Sequence, residues 1–100
     1  MLVVKRLSRK YKVGENMTKQ EKIKLLSNIK SNIELSDIIS CGSKVTFFIV
    51  KTVRNNVKMN WYFMDIKSAF DFIVKRRYKE FYIFRAKTAN GRYKIKQQMV

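Results

Sequence analysis

The sequence predicts an α+β fold: a two-layer sandwich in which a mostly antiparallel sheet carries two helices on one face, in the order β-α-β-β-α-β-β. Three observations lead there. Two segments with apolar residues at helical spacing each follow a capping residue. Several runs rich in β-branched and aromatic residues are too short for typical helices. Two of the connections between those runs are Asn-Asn and Asn-Gly, residues suited to two-residue hairpin turns. Strands joined as hairpins, with helices between them, bury their apolar faces by layering helix on sheet. At 100 residues, 46% hydrophobic and without proline, the chain is long enough for one core and too short for two. It reads as a single basic domain, residues 1–100, with no linker or repeat to divide it.

The first element is LVVKRL (2–7), a short strand, followed by a basic loop through Gly14. An organelle presequence would need a longer apolar or amphipathic stretch than MLVVKRLSRK offers. Thr18 and Glu21 form a T-x-x-E capping box, in which hydroxyl and carboxylate each satisfy an orphaned backbone N–H. Ile23, Leu26, Ile29 and Ile33 then fall at spacings of three and four, predicting a helix from about 18 to 33. A turn containing Ser36, Asp37 and Gly42 leads into KVTFFIVKT (44–52), which reads as a central strand.

Asn55-Asn56 can take the left-handed conformations of a tight turn, and VKMNWYFM (57–64) returns as an alternating strand. That turn sets Val50 opposite Trp61 and Phe48 opposite Phe63, with Phe48, Val50, Val57, Met59, Trp61 and Phe63 on the core face. Asp65 caps a second helix along which Ile66, Ala69, Phe70, Ile73 and Val74 form an apolar stripe. Lys75, Arg76 and Arg77 close it, where positive charge suits the helix dipole. FYIFRAK (81–87) and RYKIK (92–96) flank Asn90-Gly91, the strongest short-range hairpin signal.

The order of the first six elements resembles that of an RNA-recognition motif domain, and MNWYFMDIKSAFDFI (59–73) is similar to its third strand running into its second helix. The glycine-aromatic signature of that strand is missing and LVVKRL has no stacking aromatic, so the resemblance assigns no residues.

Lys and Arg total 23 against 7 Asp and Glu, a net charge of +16. Such a surplus exceeds what solubility requires, and its natural complement is a polyanion. DNA or RNA comes first, then an anionic membrane surface, then an acidic protein. The last hairpin concentrates the charge. With a two-residue turn, Lys87 faces Lys94 and Arg85 faces Lys96, so Arg85, Lys87, Arg92, Lys94 and Lys96 project from one face while Phe84, Ala86, Tyr93 and Ile95 occupy the other. Edge protection would explain lysines on a terminal hairpin. It does not require like charges directly opposite each other, an arrangement that costs a few tenths of a kcal/mol per pair, roughly, unless an anion relieves it.

Lys75, Arg76 and Arg77 at the helix end would extend the contact, and Lys5, Arg6, Arg9, Lys10 and Lys12 form a further cluster. Of the 23 basic residues 16 are lysines, which track phosphates as point charges, so weak sequence specificity is expected. A stacking face is also conceivable on the reverse of the central hairpin, where Phe47, Tyr62, Lys51 and Lys58 would meet unpaired bases.

The chain has no histidine, the usual neutral-pH acid or base. Asp65 and Asp71 lie six residues apart, about 240° around a helix, too far for a shared metal. The lone Cys41 reads as a small buried thiol and excludes an internal disulfide, consistent with a reduced, cytoplasmic setting. The longest apolar run, VTFFIV (45–50), is far shorter than a membrane span. The sequence therefore predicts a cofactor-free, non-enzymatic nucleic-acid-binding protein, a small accessory or regulatory factor. The rival reading is a small inhibitor or adaptor that docks on an acidic protein surface, as its composition resembles that of small accessory proteins of phages with AT-rich genomes. An edge strand could also pair with a second copy as a homodimer.

Overall fold

The computed structural model describes residues 17–100, so the expected first strand and the basic loop after it lie outside the described residues. The elements run α1 (Lys19–Ser27), α2 (Leu35–Ile39), β1 (Thr46–Arg54), β2 (Val57–Phe63), α3 (Ile66–Arg76), β3 (Glu80–Ala89) and β4 (Arg92–Gln98).

The capping box forms as the sequence predicts. Thr18 Oγ1 accepts from the Glu21 amide at 3.2 Å, and Glu21 Oε1 accepts from the Thr18 amide at 2.9 Å. The bond from the Thr18 amide, aided by the nearby Thr18 hydroxyl, favours the ionised carboxylate and holds Glu21 below its ordinary pKa. The helix ends at Ser27, short of the expected 33. Ser27 Oγ donates back to the Ile23 carbonyl at 2.7 Å, a local bond that competes with helix propagation. Ile33 is drawn instead to the free edge of β2, where its amide donates to the Tyr62 carbonyl at 2.8 Å. Leu26 and Ile33 thus reach the same core by different backbones, and the periodicity that suggested one helix is shared between a helix and an extended bridge. The short α2 occupies what the sequence suggested was a turn.

The four strands form an antiparallel sheet in the order β2-β1-β3-β4. Asn55 and Asn56 (φ 54° and 65°) and Asn90 and Gly91 (φ 51° and 77°) make the two hairpin turns, with positive φ at both central positions. Val50 pairs with Trp61 and Phe48 with Phe63, the register expected from the turn length. Because β2 and β3 are both antiparallel to β1, they run parallel to each other, and α3 carries the chain between them across β1.

The helices divide between the faces. Phe47 and Ile49, with Ala86, pack against Leu26, Ile33, Ile38 and Cys41 on the α1–α2 side. Val50, Phe63 and Ile83 pack against Ala69, Phe72 and Ile73 of α3. Side chains alternate along a strand, so these are opposite faces of one sheet, and α1 and α2 add a third layer to the sandwich of α3 and sheet. The reason lies in β1, whose continuous run of apolar residues must be covered on both sides.

On α3 the apolar stripe is turned from its expected centre. Phe72 enters the core, its ring 4.8 Å from that of Trp61 and 5.2 Å from that of Phe63, while Phe70 and Val74 face out at 41% and 73% exposure. Asp65 Oδ2 caps the helix by accepting from the Ser68 amide at 3.1 Å. At the other end Arg77 takes a left-handed conformation, and the Arg77 and Tyr78 amides donate to the Val74 and Ile73 carbonyls, a Schellman ending built without glycine.

Candidate nucleic-acid interface

The face of the hairpin opposite α1 and α2 carries its charge. Arg85, Lys87, Arg92, Lys94 and Lys96 are all exposed. Lys87 and Lys94 are direct partners in the β3–β4 ladder, and Ala89 faces Arg92. None of the five makes an ion pair or a side-chain hydrogen bond among the described residues. The expected Arg85–Lys96 pair is displaced. The ladder shifts register between Arg85 and Ala86, so Arg85 faces Gln97 and Lys96 becomes the extra residue of a bulge.

The hairpin is firmly seated. On its reverse face Ala86 is fully buried, and Tyr93 sets its ring edge-on to Phe47 at 5.6 Å. Thr88 is 2% exposed. Its hydroxyl donates to the Gly42 carbonyl at 2.8 Å and accepts from the Val45 amide at 2.9 Å, and the Asn90 amide donates to Ser43 Oγ at 3.2 Å. Lys87 and Lys94 therefore stand on a backbone held by the loop before β1, which limits the entropy lost when they engage a ligand.

The basic end of α3 lies elsewhere. Lys87 is level with Thr46 at the start of β1, whereas the Arg54 guanidinium, at the end of β1, donates to the Arg76 carbonyl. That length of strand spans about 26 Å, so Lys75, Arg76 and Arg77 form a second cluster at the far end of the sheet rather than an extension of the hairpin. Arg76 is also partly committed to the fold, with its guanidinium over the rings of Phe72 (5.1 Å) and Trp61 (5.9 Å). Arg54 lies 4.0 Å over Tyr78, whose ring in turn stacks on Phe72.

The stacking face conceived from sequence is closed. Phe47 is 0% exposed beneath α1 and α2, and Tyr62 is half-buried against the same core. Lys51 rests its ammonium 5.4 Å over Phe84, and Lys58 stands exposed on β2. No nucleobase can reach the ring of Phe47, because apolar helices cover what the strand pattern alone left open. Thr46 and the bulge at Lys96 were missed in the sequence, which carries no glycine or other marker for an irregularity there.

Burial raises the Cys41 thiol above its ordinary pKa, and its Sγ donates to the Asp37 carbonyl at 3.5 Å, the setting of an inert core cysteine. Asp37 is itself raised, by burial and then by the charge of Glu34. Among the described residues no group of three or more His, Cys, Asp or Glu could hold a metal ion. No helix among them is long and apolar enough to cross a membrane. No protein-family model, curated protein or solved structure matches the chain.

Proposed function

We propose that this protein binds nucleic acid, DNA or RNA, through the phosphate backbone, with the β3–β4 hairpin as its contact element and with weak sequence specificity. One observation carries the reading: five exposed cations on one face of a hairpin, Lys87 directly opposite Lys94, none with a carboxylate partner among the described residues. Edge protection accounts for lysines on β4 but not for Lys87 and Lys94 directly opposite each other, a repulsion that a polyanion converts into binding energy through counterion release. The cations form a stripe along the hairpin, as a backbone requires. A two-stranded ribbon also has the width to enter a major groove. The role is that of a small accessory factor rather than an enzyme.

The test is binding of labelled duplex DNA, single-stranded DNA and RNA across a salt series. The reading expects log-log dependence on salt with little difference between unrelated sequences. Binding that is absent at low salt would overturn it.

The second reading, an inhibitor or adaptor on an acidic protein surface, has one observation in its favour. Tyr82 and Ile95, at 45% and 48% exposure, offer apolar anchors on the sheet face that α1 and α2 partly cover. Pairing of two copies through the open part of β2, where Val57 and Met59 are exposed, would be read as a concentration-dependent mass in sedimentation.

A further inference from the structure

The register shift in the β3–β4 ladder lies beside a concavity in the charged face of the hairpin. Ala86 faces Ile95 but Arg85 faces Gln97, so Lys96 is inserted opposite Arg85. A bulge sets two residues against one and bends its strand, re-aiming the side chains around it. Next to it lies a concavity of about 330 Å3 lined by Thr46, Arg85, Ala86, Lys87 and Lys96. Ala86 contributes only backbone to the lining, since its side chain is buried on the opposite face. Around the concavity stand one guanidinium, two ammonium groups and a hydroxyl, and no carboxylate among the described residues pairs with any of them.

These donors match one kind of ligand. A guanidinium offers a planar fork for two oxygens of a tetrahedral anion, ammonium groups supply charge without strict geometry, and a threonine hydroxyl donates one further bond. We propose that this concavity is a binding site for a single phosphate group. Under the nucleic-acid reading, on which the identity of its natural ligand rests, it holds one backbone phosphate in fixed position. Arg92 and Lys94, nearer the turn, then act on neighbouring phosphates through charge alone. The same chemistry would accept a free phosphate or a phosphorylated small molecule.

The test is an NMR titration of the isotope-labelled protein with inorganic phosphate, against sodium chloride at equal ionic strength, and in parallel with a short DNA duplex. Saturable shifts centred on the amides of Thr46, Arg85, Lys87 and Lys96 are expected with phosphate and not with chloride. Lys96→Ser should weaken phosphate binding about tenfold, the loss of one charge-assisted hydrogen bond, while Lys24→Ser, an equal loss of charge on the exposed side of α1, leaves it within about twofold. Shifts that grow linearly and spread over all the surface lysines, or a Lys96→Ser variant that binds like the parent, would overturn the site. The duplex separates the two ideas. Saturation by phosphate without duplex binding keeps the site and removes the nucleic-acid reading; duplex binding without localised phosphate shifts does the reverse.

Discussion

At the scale of single residues, the side chains divide into those that build and those that are left over. Phe47 belongs to the first group, enclosed by Tyr62, Tyr93 and the α1–α2 core. Phe47→Ala should destabilise the protein by about 3–5 kcal/mol in urea unfolding, the cost of a large buried aromatic, whereas Phe47→Leu should leave nucleic-acid affinity unchanged. A Leu variant that folds but loses binding would restore the ring to the interface. Arg77 sits between the groups. Its left-handed backbone (φ 56°) is one that glycine adopts freely. Arg77→Gly should therefore stabilise the fold by about 1 kcal/mol. A stabilised variant that binds long duplexes less well would mark a residue kept for its charge rather than its conformation.

At the scale of elements, the hairpins were legible because their turns are encoded in two residues each, and turn length fixes register along β1–β2 and along β3–β4 as far as the bulge at Lys96. Gly91 shows how local that code is. A methyl group added there meets nothing within 4 Å, yet φ is +77°. Gly91→Ala should thus cost about 1 kcal/mol through conformation alone, and speed amide exchange in β3 and β4 before the rest of the sheet. Equal acceleration throughout would contradict a local effect.

The helices were less legible. Thr18 and Asp65 announced where α1 and α3 begin, since caps are chosen by side-chain chemistry. The end of α1 and the rotation of α3 depend on contacts remote in sequence: Ile33 with Tyr62, and Phe72 with Trp61 and Phe63. The division of helices between two faces was latent in the unbroken TFFIV run, which presents apolar residues to both sides. Which helix would cover which side was not written there.

At the scale of the whole molecule, the described residues place two basic clusters toward opposite ends of the sheet. The hairpin cations stand at one end, and Lys75 and Arg77 at the other, some 26 Å away by strand rise. A duplex advances 3.4 Å per base pair, so about 8 base pairs are needed to span both clusters. Replacing Lys75 and Arg77 by Ser should weaken binding of a duplex of about 20 base pairs and leave one of about 6 unaffected. Equal loss on both would place the two clusters on one short stretch of backbone. The hairpin's charge could be read from sequence, since alternation and turn length are local properties. Its separation from the α3 cluster could not, because it follows from how β1 spans the sheet.

If the hairpin cations neutralise phosphates, each leaves a countable mark on the salt dependence of binding. Duplex binding should be measured across a salt series for the protein and for a variant with Lys87, Arg92 and Lys94 all changed to Ser. Each phosphate contact contributes about 0.9 to the log-log slope, so the variant's slope should be shallower by about 2 to 3 units. A variant with weaker binding but the parent's slope, or with unchanged binding, would contradict the account and move the search to a protein partner.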